Sequence, residues 1–553
     1  MAIKRYVANA DTTITNAFKE NLITRGTASN MGRADSLEVF SIYGQESSGS
    51  SELSRILVQF PTTDIATDRT NGTIPASGSV SFYLRMFNAV TPFTVPRNFT
   101  LVASAVSGAN DNDSVIGLSG KVIDFNWQEG QGIDADNYTD VTRDGEGANW
   151  IMMGSSSVNG PIKWGKQGSN TVGGAFFDNI NRTFTQTFDS GVEDLEINIT
   201  NLVEQWVNST GNVLGTIPNY GIGIFLTASQ EAYVATADQT TVSRANDGGS
   251  KRSYYTKKFF ARSSEFFYKR PIIEARWDSA EKDDRGNFYY SSSLATAGEN
   301  LNTVYLYNYF RGQLRNIPEI GSGPIYVSVF SGSTHDDGPG TEAVTLVVDG
   351  ANVQSDVPTV VTGGHISTGI YTASFAITAS SPKAMDTIYD VWFKGGVGIG
   401  EVPGVIQYQT GTIEPKKISL QPQNPSTAFV SNITNLRPVY SNLETARFRI
   451  FTRQKNWYPS IYTRAVSSTP PFIIESGSYA VTRVVDDFKA IQFGTGSNLH
   501  TQMSFDISGS YFDLDMSMLE PGYAYKIKLA FYNGSIGSWQ EQPQEFKFRV
   551  EEG

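Results

Sequence analysis

The chain reads as all-β: a large N-terminal jelly-roll-like β-sandwich over residues 1–290, followed by two smaller sandwiches over 291–415 and 416–553. Three observations predict this. Apolar and polar residues alternate with period 2 in run after run, the pattern of strands with one buried face. Tyr, Phe, Thr, Ser, Gly and Asn are plentiful while charged residues make up only 18%, a balance that favours strands and turns over helices. With 553 residues the chain is too long for one hydrophobic core, so its strands must be divided among several domains.

From Tyr6 to about Asn30 the Thr/Asn pattern predicts an edge strand and loop. Ile56, Val58 and Phe60 alternate with Leu57, Gln59 and Pro61, and Val80, Phe82, Leu84 and Met86 alternate with Ser81, Tyr83, Arg85 and Phe87, which gives two sandwich strands. A further strand from Phe99 to Val106 runs into Gly108–Asp113, which has turn chemistry. The single predicted helix covers residues 200–208. Leu202, Val203, Trp206 and Val207 share one face, Thr200 or Asn201 can cap the first turn, and so short a helix must pack on the sheet through Trp206. Gly221–Leu226 follows as a buried strand. The domain closes on Ile272, Glu274, Arg276 and Asp278 alternating with Ile273, Ala275 and Trp277, a strand with one face buried. The charged run Glu281–Arg285 has too little apolar content for a core, which predicts a solvated turn at a domain boundary.

In the second region Val304–Tyr307, Ile325–Phe330, Val344–Gly350, Gly369–Phe375 and Ile388–Phe393 are spaced like the strands of an immunoglobulin-like sandwich. The third repeats the pattern with Ala446–Phe451, Ser478–Val481, Phe512–Met516 and Ala524–Phe531. Its Leu519–Tyr525 stretch is similar to the tyrosine corner of immunoglobulin-like and fibronectin-like domains, with Tyr525 as the tyrosine whose hydroxyl bonds back to nearby backbone.

Composition narrows the partners. A net charge of -12 argues against a nucleic-acid groove or an anionic membrane surface, since both need a basic footprint. The start, Met1–Asp11, has no apolar stretch of signal-peptide length, and no run is long enough to cross a bilayer, so neither a secretion route nor a membrane partner is expected. With no cysteine, disulfides and thiolate metal sites are excluded; stability must come from β packing, loop contacts or assembly.

Two resemblances add to this reading. Ala10–Ile14, Trp127–Glu129, Asn149–Trp150, the helix Ile199–Trp206, Asn219–Ile222 and Arg270–Arg276 occur in an order that resembles the DNRLRE-type β-sandwich, a family related to carbohydrate-binding modules. This covers residues 4–290, with a polar insertion at Asp238–Lys258 that departs from the family's core. More widely, Tyr254–Ser263, Lys282–Tyr289 and Tyr511–Tyr523 are similar to stretches of virion structural proteins of tailed bacteriophages, particularly marine ones. That resemblance implies a protein made in the host cytoplasm and built into the virion, with other virion proteins and copies of itself as partners.

No Gly-x-Ser-x-Gly elbow, phosphate-binding glycine loop or His-Glu-x-x-His helix occurs, and His335, His365 and His500 are too widely separated to suggest a triad or a zinc site. No enzyme is expected. Calcium is the one cofactor for which candidates exist, in the acidic loops holding Asp111 and Asp113 and holding Asp134 and Asp136, although Asp/Asn clusters are also ordinary turn formers. Trp127 and Trp150 are expected in the core, whereas Trp164, whose neighbours Lys163, Gly165 and Lys166 suggest a surface loop, is left open between the core and an exposed position where it is a candidate glycan contact. Tyr254, Tyr255, Phe259, Phe260, Phe266, Phe267 and Tyr268 form an aromatic segment interleaved with Lys257, Lys258 and Arg262. These residue types suit a strand docking on a neighbouring subunit. The expectation is therefore a structural virion component acting through assembly, with a carbohydrate-binding adhesin that recognises host glycan as the alternative.

Overall fold

The strand Ser51–Gln59 shows why the first domain needs more than two layers. Ile56 and Val58 enter one core and Leu53 and Leu57, on the opposite face, enter another, so both faces of this strand are buried. A computed structural model describes the chain apart from residues 1, 44–50, 91–97, 107–114, 118–121, 124, 136–146, 157–159, 165–173, 175–181, 208–217, 237–244, 333–337, 342, 349–350, 353–358, 379–384, 396–405, 417–427, 456, 458–470 and 535. It forms two compact units, Ala2–Asp278 and Ser279–Gly553. Asp111, Asp113, Asp136 and His335 lie outside the described residues.

In the N-terminal unit Ser51–Gln59 belongs to a seven-stranded sheet ordered Thr183–Phe188, Phe99–Ala105, Ile222–Leu226, Ser51–Gln59, Ser36–Tyr43, Ser253–Phe260, with Ala10–Thr15 also paired to Ser51–Gln59. A four-stranded antiparallel sheet, Ile3–Val7, Ile272–Arg276, Ser81–Met86 and Leu195–Asn198, lies across the first core. Four short strands, Val122–Ile123, Val115–Gly117, Gly160–Lys163 and Met152–Ser156, accompany the second core. The expected polar insertion is in part regular structure, because Ser253–Phe260 is the end strand of the large sheet.

Two α-helices occur among the described residues. The second, α2 (Thr200–Val207), is the expected one: Leu202, Val203 and Trp206 enter the first core. Its cap lies earlier than predicted, since Asn198 Oδ1 accepts from Thr200 N at 3.0 Å while Thr200 Oγ1 accepts from Phe82 N. The first, α1 (Thr62–Thr70), was not expected, because Ile65 is its only buried residue and no apolar stripe announces it. Tertiary contacts hold it: Arg69 forms two bonds to Glu204 of α2 at 2.8 and 2.6 Å, and Asp68 accepts from Tyr6 Oη.

In the C-terminal unit six strands make one curled sheet, ordered Asn302–Tyr307, Ile370–Phe375, Val360–Ser367, Ile325–Gly332, Thr387–Phe393, Gln407–Ile413. Val360–Ser367 gives its first half to one neighbour and its second half to the other, so the sheet folds over a core containing Trp392, Phe375 and Tyr371. The last sandwich has two sheets, Phe429–Ile433, Thr445–Gln454, Gly509–Asp515, Ser504–Asp506 and Val439–Ser441, Ser538–Glu551, Ala524–Asn533, Gly477–Arg483, Lys489–Ile491. In chain order this is the immunoglobulin arrangement, with Val439–Ser441 running parallel to Ser538–Glu551. Tyr525 is buried and its hydroxyl donates to the Glu520 carbonyl at 2.9 Å, the predicted tyrosine corner.

The charged run Glu281–Arg285 is not a solvated turn. Asp283 is buried, and the segment runs beside Ser504–Asp506: Asp283 N donates to Phe505 O and Phe505 N to Glu281 O. Arg285 reaches into the curled sheet and makes two bonds to buried Asp390, at 2.5 and 2.6 Å, while Trp392 Nε1 donates to the same carboxylate. Gly411 lies opposite Asp390 in the ladder, and a side chain there would collide with the Arg285 guanidinium. The charges that looked like solvent-facing residues are spent on holding the two C-terminal sandwiches to one connecting segment.

Candidate functional site

The closing strand Ile272–Arg276 frames the N-terminal unit with charge. Ile273 and Ala275 enter the first core, as the period predicts. The opposite face is buried too: Glu274 binds Arg5 at 2.7 Å, Arg85 at 3.1 Å and Arg276 at 2.7 Å, and Arg276 also binds Glu196. Burial alone would raise the Glu274 carboxyl, but the Arg85, Arg5 and Arg276 guanidiniums outweigh it and hold the group well below the usual carboxylate range. The expectation of one buried face fails here because charges packed among opposite charges can be removed from water as a set.

A second polar cluster lies at the turn before this strand. Arg262 donates two bonds to Glu129, at 3.0 and 2.5 Å, and its backbone N–H donates to Asp11 Oδ2 at 2.6 Å. Asp11 N in turn donates to Glu129 Oε1. Burial pushes the Asp11 carboxyl up to about 7 against the pull of the Arg262 N–H. Asp11, Glu129 and Glu274 are each a structural member of a filled network. Among the described residues, Asp134 included, no group of three or more His, Cys, Asp or Glu side chains could hold a metal ion.

The tryptophans are core. Trp127, Trp150 and Trp164 share the second core, with Trp127 Nε1 donating to Tyr220 O and Trp164 Nε1 to Asn149 O, both at 2.8 Å. Trp164 is 1% exposed, which corrects its candidate place as a glycan contact. The strand Gly160–Lys163 ends directly before Trp164, and the indole turns inwards.

The aromatic segment is divided by its own alternation. Ser253–Phe260 is the end strand of its sheet, paired along its whole length with Ser36–Tyr43. Phe259 is fully buried, and Tyr255 packs against the core beside Phe99, so Phe259 is withdrawn from any interface and Tyr255 largely so. Lys257 follows them inwards: its ammonium donates to Asn88 Oδ1, Gly191 O and Glu193 O, and burial lowers its pKa to about 8. Tyr254 points outwards and is 54% exposed. Phe260 stacks edge-on against Phe266 with ring centres 5.1 Å apart, and Phe267 packs on Tyr268 at 5.4 Å. Phe266 and Phe267 are 46% and 54% exposed.

The cations that complete this patch are not the interleaved ones. Lys258 pairs with Glu38, and Arg262 with Glu129. Instead Lys269 Nζ lies 5.1 Å from the Phe260 ring and 5.8 Å from Phe266, and Arg270 lies 4.8 Å from Phe267 while donating twice to the Ser264 carbonyl. Each exposed stack of this kind is worth about 0.5–1 kcal/mol, and together they fix the 3-10 turn Phe267–Lys269 in one shape. Pro271, directly after Lys269 and Arg270 and just before the strand Ile272–Arg276, is the sequence signal that these two cations belong to a turn.

No family model matches the chain, and no curated protein does. Solved structures match loosely. The fibronectin(III)-like modules of Clostridium thermocellum CbhA are 10% identical, covering 50% of this chain and 93% of theirs at a TM-score of 0.13. A trypsin-activated alpha-2-macroglobulin from Escherichia coli is 8% identical, over 86% of this chain and 31% of its own, at 0.14. A DUF4785 family protein from Legionella pneumophila is 8% identical, over 98% and 92%, at 0.12. Superpositions this loose identify no relative.

Proposed function

We propose that the chain is a non-catalytic structural component of a phage particle, built into the virion by docking on other virion proteins and on copies of itself. The observation that carries this is the patch of Phe260, Phe266, Phe267 and Tyr268 under Lys269 and Arg270, beside the end strand of a large sheet. Aromatic side chains and arginine are the residues that dominate interface cores, and clustered aromatics left in water mark a surface that is covered in use. The pre-ordered turn lowers the entropy lost on docking. The virion setting comes from the resemblance of Tyr254–Ser263, Lys282–Tyr289 and Tyr511–Tyr523 to phage structural proteins. Glycan recognition loses its main support with Trp164 in the core.

The test is incorporation of the Phe266→Ala, Phe267→Ala double variant into particles assembled in infected cells. Both side chains are about half exposed, so the variant should still fold, with a melting temperature lowered only slightly by the loss of ring and cation contacts worth about 1–2 kcal/mol, and yet be missing from purified particles. Normal incorporation would remove this patch as the docking surface.

A further inference from the structure

The curled sandwich carries a hairpin that its own core does not explain. Tyr309–Phe310 and Gln313–Leu314 pair across Arg311 and Gly312, whose φ angles of 52° and 79° are both left-handed, the geometry of a type I′ turn. Glycine adopts it freely, whereas an arginine is strained there, and strain kept at a surface points to use. Tyr309 and Phe310 are 59% and 51% exposed, and the guanidiniums of Arg311 and Arg315 lie 5.4 and 5.3 Å from the Phe310 ring. No acidic residue occurs from Asn308 to Asn316. The base is fixed: Asn308 N donates to Gly369 O, Arg315 N to Asn308 O, and Gly369 N to Asn316 Oδ1. The result is a rigid knob with two rings and two positive charges.

The last sandwich holds a matching hollow. A cavity of about 500 Å³ opens beside Phe429, Phe472, Phe531 and Tyr532, with Glu475 at its wall. Phe429 packs on Phe472 and Phe531 at 5.4 and 5.6 Å, giving an aromatic floor. Glu475 is exposed and takes one bond from Asn287 on Oε1, within a carboxylate's capacity for more donors. A benzene-sized ring fits a cavity of about 150 Å³, so two rings enter this one.

We infer that the Tyr309–Phe310 hairpin of one copy seats in the Phe429–Phe472–Phe531 cavity of a second copy, with an arginine of the hairpin on Glu475. A chain of net charge -12 is itself the acidic partner that a doubly cationic knob suits. Because knob and cavity are different surfaces, the contact runs head to tail and builds a ring or a filament. The inference rests on the assembly reading but on other residues, so the two fail separately.

Sedimentation velocity of the full chain over a concentration series, at low and high salt, tests it. The expected result is a ladder of oligomers weakened by salt, with self-association at least roughly tenfold weaker in the Tyr309→Ala, Phe310→Ala variant. Arg311→Glu and Glu475→Arg each weaken it, and an equimolar mixture of the two recovers it, which misfolded variants could not do. A wild-type chain that stays monomeric throughout, or oligomers indifferent to the hairpin substitutions, overturns the inference. If particle incorporation fails only in the Phe266, Phe267 variant, assembly stands and the head-to-tail contact falls.

Discussion

The first and last sandwiches both tie strands together with arginine–carboxylate pairs, but they place them differently. In the N-terminal unit Glu274 sits among Arg5, Arg85 and Arg276 with every partner largely removed from water. In the last sandwich Arg447 binds Asp513 with two bonds of 2.8 Å, equally good geometry, yet the side chains are 47% and 31% exposed. Geometry is therefore not what separates them. An exposed pair can lose one member to water at little cost, whereas a buried network strands whatever it leaves behind. The same pairing chemistry specifies a fold in one place and decorates a surface in the other.

The contrast is broken or sharpened by a graded series. Glu274→Ala should cost the most, about 3–5 kcal/mol, because it leaves three guanidiniums facing one another in a dry site; denaturant unfolding of the full chain measures it, and a loss below about 1 kcal/mol would erase the distinction drawn here. Arg285→Met should come next at about 3 kcal/mol, since among the described residues Asp390 would keep only the Trp392 N–H as a donor. Gly411→Val, which crowds the same guanidinium without removing it, should move the same unfolding transition in the same direction.

Asp11→Asn should act on slope more than on depth. The Asp11 carboxyl is raised to about 7 in the fold from about 3.9 unfolded, so its proton stabilises the native state fully below about pH 4, and that contribution is lost as pH rises through 7. Asparagine keeps an oxygen for Arg262 N–H, and the variant should flatten the fall in unfolding midpoint between pH 4 and 7. Asp283 and Asp284, raised by burial to about 6, leave a residual slope in the lower part of that window. Smallest of all, Arg447→Ala should change stability by less than about 1 kcal/mol, with the difference vanishing in high salt.

Alternation of apolar residues was enough to place most of the strands, and the Leu-Glu-Pro-Gly-Tyr-Ala-Tyr stretch was enough to name Tyr525. Strands whose buried members are polar or whose run is interrupted escaped notice. Ser538–Glu551 carries Pro543 and five charged residues, yet buries Phe546, Phe548 and Val550 against the sandwich. The aromatic segment was legible as a cluster, but not as two faces. Reading Tyr254 to Phe260 as one strand with period 2 would have separated Phe259 from Phe260, had the inward face been known.

That face is what sequence alone does not carry. The residues by themselves determined the all-β class, the absence of disulfides, the amphipathic helix at Thr200–Val207 and the acidic balance, because each depends on composition or on spacing along the chain. Only the tertiary structure decided that Glu274, Asp283 and Asp390 are buried, that Trp164 points inwards, and that Lys269 and Arg270 cap the exposed rings. A charge looks solvent-bound until its partner arrives, and these partners stand as far apart in sequence as Arg5 and Glu274. Desolvation is settled by which strands meet, and only the folded chain brings them together.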